Sequence, residues 1–145
     1  MAEAAARAAS DPDVTTRLVH ASEANADDLL AADGTIFASP ENLAALAGVM
    51  KDFFDRTYYP ALDRLNGRPY ATMICAGSDG TNAVRQIERI ATGWRLKSIA
   101  PPLIVRTSAQ TPETILAPKT IGAEDLRRCA EIGATFAAGL AAGVF

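Results

Sequence analysis

Apolar positions along this chain switch between two periods. Ala2 to Ala9 is strong helix former throughout, with Glu3 and Arg7 four apart, and Ser10-Asp11-Pro12-Asp13 stops it. Val14 to Ala21 alternates moderately and predicts a strand. A polar stretch with a short helical patch, Ala26 to Ala32, leads to the turn signal Asp33-Gly34, and Thr35 to Ser39 predicts a buried strand. Leu43, Leu46, Ala47, Met50, Phe53 and Phe54 then repeat at three and four, which predicts a helix from Asn42 to about Thr57 with one apolar face. Tyr58-Tyr59-Pro60 closes it, and Leu62 to Pro69 is a connector containing Asn66-Gly67. Tyr70 to Ala76 is unbroken apolar, as in a strand covered on both faces. Gly77-Ser78-Asp79-Gly80 ends it, and Thr81 to Thr92 predicts a second amphipathic helix. Lys97 to Val105 predicts a strand interrupted at Pro101-Pro102, an edge or a bulge. A polar, proline-containing loop from Thr107 to Gly122 precedes the last helix, Glu124 to about Gly143.

Strands alternating with helices predict a parallel α/β sheet with helices on both faces. Ligands of such sheets sit at the carboxyl ends of the strands. Two strand-to-helix junctions therefore matter most. At Ser39-Pro40-Glu41-Asn42, Ser39 is placed to cap the predicted helix and Pro40 to occupy its first position. The free N–H groups of that first turn can face a ligand's carbonyls or anionic edge, with Glu41 and Asn42 adding side-chain contacts; an ordinary capped helix uses the same residues. At Gly77-Ser78-Asp79-Gly80 the two glycines allow close backbone approach to a flat or charged ligand, while Asp79 serves equally well as a helix cap.

Composition narrows the class without naming a function. The chain has 145 residues, one domain spanning 1–145, with 49% apolar and 21% charged residues. A net charge of −3 argues against a nucleic-acid backbone or an anionic membrane as partner. With two cysteines far apart, no CxxC and a single His, nothing suggests a structural zinc site, and a reducing, cytoplasmic setting fits best. No signal peptide is visible, and the C-terminal run IGATFAAGLAAGVF is shorter than the roughly 20 apolar residues that span a bilayer.

Other candidate groups read as structural. His20 has no partner in sequence. Tyr58, Tyr59 and Trp94 follow helix ends, where packing or the flank of a planar ligand are the alternatives. Arg85 and Arg89 lie four apart near Glu88, a solvated face or a phosphate contact. Cys75 sits in an apolar strand, where a thiol is inert. No catalytic triad, paired-carboxylate or Walker pattern is present, so no catalytic side chain and no metal ligand is nominated.

The two junctions carry a resemblance. ADGTIFASPENLAALAGVMKDFFDR, with Ala32 to Gly34, Ser39-Pro40, Met50-Lys51 and Phe54-Asp55-Arg56, resembles the flavodoxin-like FMN proteins, in particular the NAD(P)H-dependent FMN reductases and NAD(P)H:quinone oxidoreductases. CAGSDG resembles that family's second flavin loop. The resemblance implies a three-layer sandwich with a parallel sheet in the order 2-1-3-4-5. It implies FMN as cofactor, NAD(P)H as reductant and a quinone or other small molecule as acceptor. It places Ser39, Pro40, Glu41, Asn42, Leu43 and Ala44 along the flavin ring and ribityl, and Gly77, Ser78, Asp79 and Gly80 over another part of the ring. The flavin carries the redox chemistry, so no side-chain acid or base is required.

One part of the family pattern is missing. The family starts with a buried strand and a Ser/Thr-rich phosphate loop before its first helix, whereas MAEAAARAAS resembles that helix itself. The absent strand is the central one, between Val14–Ala21 and Thr35–Ser39. Its four or five apolar side chains, at roughly 1.5–3 kcal/mol each, approach the whole stability of a domain. The expectation is that the true start lies upstream of Met1; direct pairing of the remaining strands and an edge supplied by another chain are the alternatives. The leading expectation is an FMN-dependent oxidoreductase. A flavin-free α/β module and a flavodoxin-type electron carrier are its rivals, and a homo-oligomer is left open.

Overall fold

A computed structural model describes all residues from Met1 to Phe145. In chain order its elements are α1 (Ala2–Ala8), α2 (Ala26–Ala31), β1 (Thr35–Asn42), β2 (Ala45–Leu46), α3 (Gly48–Thr57), β3 (Pro69–Ala76), α4 (Thr81–Gly93), β4 (Lys97–Ser98), β5 (Leu103–Arg106), α5 (Pro112–Leu116) and α6 (Ala123–Ala141). The sheet is mostly parallel. β3 is its centre, with β1 along one side and both β4 and β5 along the other. Only β2 is antiparallel, folded back on the end of β1.

Alternating side chains of the strands divide the core into two layers, the arrangement of a three-layer α/β sandwich. On one face Phe37, Tyr70 and Ile74 meet Phe53 and Phe54 of α3 and Val84, Ile87 and Trp94 from α4 and its end. On the other, Met73, Leu103 and Val105 meet Ala5 of α1 and Cys129 of α6. The two helices of this second layer touch through bare backbone: a Cβ on Gly133 would stand 2.0 Å from the carbonyl oxygen of Ala5.

The expected order 2-1-3-4-5 is met only roughly. β1, β3 and the β4/β5 pair follow it, but Val14 to Ala21 is not a strand. That stretch is extended chain with one isolated bridge, Asp11 to Val14, and Leu18 is 56% exposed. Direct pairing of the remaining strands, one of the expected alternatives, does not occur. From Thr35 to Pro40 the edge of β1 away from β3 has no strand beside it. Moderate alternation makes a strand only where a neighbour takes up its N–H and C=O groups. Here the segment is held by side chains instead, with Arg17 bridging to Asp28 at 2.9 Å and Arg56 donating to the carbonyls of Ala21 and Ala24.

The first helix after β1 also differs. It starts at Gly48, not Asn42. β1 runs on through Asn42, turns at Leu43-Ala44 and returns as β2, pairing Glu41 with Leu46 and Asn42 with Ala45. Contacts from distant residues override the helical spacing here: the Leu46 N–H donates to Gln86 Oε1 at 2.9 Å and the Ala47 N–H to Ser39 Oγ at 3.1 Å. The strand predicted across Lys97 to Val105 breaks at its prolines into β4 and β5. The polar loop that follows contains a single-turn helix, α5, capped reciprocally by Thr111 and Thr114.

No helix is long and apolar enough to cross a membrane.

Candidate functional site

The carboxyl ends of β1, β3 and β5 share one edge of the sheet, and their loops form one rim. The first loop is the hairpin. Its tip residues, Leu43 and Ala44, both have left-handed backbone, φ +51° and +59°. A two-residue hairpin turn of the primed type demands this, and Asn-Gly is the pair that adopts it without strain. Leu43 is fully exposed.

The second loop, Gly77 to Gly80, is tied to the first by side chains. Glu41 Oε2 accepts the Gly80 N–H at 2.9 Å, and Asn82 Nδ2 donates to the Ala44 carbonyl at 2.6 Å. Gly80 precedes α4 with φ +87°, and a Cβ there would come within 2.7 Å of Ile104, so only glycine fits the turn. The helix it introduces has no side-chain cap, and the Glu41 carboxylate reaches from the other loop to the N–H of its N-cap residue, Gly80. Asp79 turns its carboxylate to the Thr81 hydroxyl at 2.6 Å, which keeps it local. The N–H groups of Gly77, Ser78 and Asp79 have no partner within the chain.

A third loop, Arg106 to Ala109, completes the rim. Arg106 Nε donates to the Asp79 carbonyl at 3.2 Å, Thr107 donates to the Ala76 carbonyl through both N–H and hydroxyl, and the Ala109 carbonyl lies against Gly77. Ser108 again has left-handed backbone, φ +56°.

Of the residues nominated from sequence, Glu41, Asn42, Leu43, Ala44, Gly77, Ser78, Asp79 and Gly80 come together on this rim. Ser39 and Pro40 do not start a helix. Pro40 lies in β1 beside Cys75 of β3, and Ser39 is buried with its hydroxyl donating to the Pro40 carbonyl and accepting from Ala47. Ala47 is the residue that opens α3, so Ser39 still serves that helix, from eight positions upstream. A shallow cleft of about 170 Å³ lies beside Ser39 and Pro40, lined also by Met1, Ala38 and Met73. It is smaller than the roughly 300–1,000 Å³ of an enclosing ligand pocket, so a planar ligand would lie on the rim rather than inside the chain.

The remaining candidates are structural. Trp94 is fully buried, stacks on Tyr58 at 5.6 Å and donates from its indole to the Tyr58 carbonyl at 3.0 Å. Tyr58 and Trp94 end helices that run back from the rim, at the sheet's opposite end. His20 is exposed and bonded to Ser22. Arg85 and Arg89 are exposed on α4. Burial raises the pKa of the Cys75 thiol, and that of Cys129, which makes both weak nucleophiles. Sequence reasoning passed over Asn82, Gln86 and Arg106. Asn82 and Gln86 lie four apart at the start of α4, one polar stripe facing the hairpin, and that spacing was available to be read.

The rim fits the polar edge of a flavin ring on one count. The three unpartnered N–H groups of the second loop are donors, and the ring's edge carries acceptors. It offers less to a phosphate, because the Glu41 carboxylate on the Gly80 N–H places negative charge beside the start of α4.

A family model described as NADPH-dependent FMN reductase matches residues 8–110. Among solved structures, a flavodoxin from the domain Archaea superposes with a TM-score of 0.71 at 16% identity, covering 94% of this chain and 85% of that one. An NADPH-quinone reductase from P. pentosaceus gives 0.59 at 17% identity, covering 94% and 88%. The rubredoxin oxygen:oxidoreductase of Desulfovibrio gigas gives 0.73 at 15% identity; the match covers 99% of this chain and 33% of that protein. At these identities the structures show the flavodoxin-like fold alone. No curated protein matches. The family model spans well over half of the chain and includes all three loops of the rim, and the chain therefore belongs to the NADPH-dependent FMN reductase family.

Proposed function

We propose that this chain binds FMN on the rim and acts as an oxidoreductase, passing hydride or electrons from NAD(P)H to a quinone or another small acceptor. The observation that carries the reading is the pair of ties between the two loops, Glu41 to Gly80 and Asn82 to Ala44. They make one continuous surface from segments that lie about 40 positions apart in the chain. When bound, FMN supplies the hydride and electron chemistry. The chain's own residues bind and orient. The N–H groups of Gly77, Ser78 and Asp79 present donors to the ring edge, the exposed Leu43 offers apolar cover, and Glu41 with Asn82 fixes the spacing between the two.

Titrating the protein with FMN, and then assaying NADPH or NADH oxidation with a soluble quinone, tests this. Quenching of FMN fluorescence and acceptor-dependent turnover are expected. Flavin binding without reductase turnover would favour the electron carrier. A second reading rests on the same Glu41 carboxylate: it accepts the N–H of Gly80, just before α4, and places negative charge where a phosphate would approach. On that reading the chain is a flavin-free module that packs against a partner, and absence of FMN binding at micromolar concentration is the result that favours it.

A further inference from the structure

Asn66 is the only asparagine of the chain that precedes a glycine. The pair forms the middle of a tight turn from Leu65 to Arg68, closed by the Arg68 N–H on the Leu65 carbonyl at 3.0 Å. Gly67 has φ +79° and Asn66 does not share the positive sign, which makes the turn type II. The turn leads into β3 at the sheet's amino end, opposite the rim. Asn66 and Gly67 are exposed, whereas Leu65 just before them is buried.

A second bond fixes the turn from outside. The Gly67 N–H donates to the Arg95 carbonyl at 2.8 Å. That carbonyl is itself held by the end of α4. The Arg95 N–H bonds to the Thr92 carbonyl and the Leu96 N–H to the Ala91 carbonyl, both at 3.0 Å, the paired closure of a Schellman motif. Arg95 occupies its left-handed position, φ +56°, where glycine is usual.

Gly67 has no side chain to shield its nitrogen, so that nitrogen can attack Cγ of Asn66. The nitrogen gives up its proton, the N–Cγ bond forms, the bond from Cγ to the amide nitrogen of the side chain breaks, and ammonia leaves. Water then opens the cyclic imide. Opening at Cγ leaves aspartate in an ordinary backbone, and opening at the main-chain carbonyl carbon leaves isoaspartate, with one more atom in the backbone. Ring closure requires the Gly67 nitrogen to swing alongside Cβ of Asn66. A type II turn holds ψ of Asn66 near about +120°, the wrong side for this approach. The Asn66–Gly67 peptide must turn over first, which takes its N–H off the Arg95 carbonyl. We propose that Asn66 is a self-modification site that deamidates through an imide, and that the Leu65–Arg68 turn with the Arg95 carbonyl is the gate controlling it. The isoaspartyl product no longer fits the turn. Arg68 beside it donates to the Leu30 carbonyl at 2.7 Å and accepts the Lys97 N–H at 2.9 Å, so the ties of α2 and β4 to the start of β3 loosen with it. None of this depends on a flavin being bound.

The full chain and a synthetic Leu-Asn-Gly-Arg-Pro peptide are incubated in one buffer, and mass spectrometry with fragmentation separates aspartate from isoaspartate at each asparagine. Asn66 is expected to convert before Asn25, Asn42 and Asn82. It is expected to convert roughly fivefold to a hundredfold more slowly than the peptide, the range for opening two hydrogen bonds. Urea below the unfolding transition is expected to narrow that difference. Arg95→Val disfavours the left-handed conformation and is expected to raise the folded-state rate roughly twofold to tenfold. Arg95→Gly also loses the ion pair to Asp63 but keeps the conformation, and is expected to leave the rate unchanged. The isoaspartyl chain is expected to melt below both the wild type and Asn66→Asp, which carries the same charge on an ordinary backbone. A folded chain that converts Asn66 as fast as the peptide, or equal rates in Arg95→Val and Arg95→Gly, would overturn the gate. Earlier conversion at another asparagine, or an Asn66 that stays intact in urea after the peptide has fully converted, would overturn the site.

Discussion

The hairpin tip is strained, and removing the strain should separate stability from binding. Leu43 and Ala44 hold φ of +51° and +59°. A left-handed conformation costs a residue with a Cβ about 1–2 kcal/mol, and Asn and Gly tolerate it best. Leu43 is 102% exposed, so replacing it removes no buried surface. Ala44→Gly relieves about 1 kcal/mol or more but gives back about 0.4–1 kcal/mol through the more flexible unfolded chain. The net gain is a few tenths to about 1 kcal/mol. Leu43→Asn contributes a similar amount, and the double variant should gain about 1 kcal/mol, or roughly 2–4 °C in Tm at this chain length. Urea and thermal unfolding followed by circular dichroism measure this. FMN affinity should move the opposite way for only one of the pair. Covering half of a leucine side chain by a ring is worth about 1 kcal/mol, near fivefold in Kd, so Leu43→Asn weakens binding while Ala44→Gly leaves it unchanged. If either substitution destabilises the chain, the tip is not strained as described. If Leu43→Asn binds FMN as tightly as the wild type, the leucine is not part of the ring surface.

Three further outcomes follow from named contacts. Glu41→Ala removes the acceptor of the Gly80 N–H and should cost about 1–2 kcal/mol in urea unfolding, with Glu41→Gln losing less because it keeps an oxygen there. Thr72 is 2% exposed and its hydroxyl has no partner, so Thr72→Val should stabilise by about 1 kcal/mol; a loss of stability would mean that the hydroxyl is satisfied after all. Burial first, and the Glu88 carboxylate second, raise the Tyr70 phenol above its ordinary 10.0, against a smaller opposing hydrogen bond from Ser98. A raised folded-state value means that the contribution is complete below pH 10.0 and is lost as pH rises through the folded value. Alkaline unfolding should therefore set in above that pH and shift upward in Glu88→Gln.

The fold was legible wherever a segment's own pattern matched its surroundings. The unbroken apolar run of β3 signalled a strand covered on both faces, and every one of its residues except Cys75 is buried. The sequence failed where distant residues decide. Leu43, Leu46, Ala47 and Met50 have helical spacing, yet only Met50 lies in the helix. The hairpin that replaces its first turns is held by Ser39, Asn82 and Gln86, and nothing between Asn42 and Ala47 announces those bonds. The chemistry of the site divides in the same way. Its first two loops stand out as breaks in periodicity after a strand. Arg106 lies at the end of a proline-broken strand, before a loop with no period at all, and only the topology brings it to Asp79.

The open edge of β1 raises the question of what fixes the first loop. Between Thr35 and Pro40 the strand has ladder partners only in β3. An edge of this kind loosens more readily than a central strand. Here its side chains compensate. Phe37 packs against the rings of Phe54, Tyr70 and Trp94 at 5.2, 6.1 and 6.4 Å, while Ile36 and Ala38 turn to the α1 and α6 layer. Each aromatic pair adds about 0.5–1.5 kcal/mol beyond burial, comparable to the hydrogen bonds the free side lacks. Ser39 then passes that rigidity on, because its hydroxyl joins the strand to the start of α3. The hairpin tip is thus carried by a strand anchored through its side chains and by a helix pinned to that strand. Glu41 and Asn82 have only to set the distance to the second loop, and the candidate site inherits its order from the aromatic core.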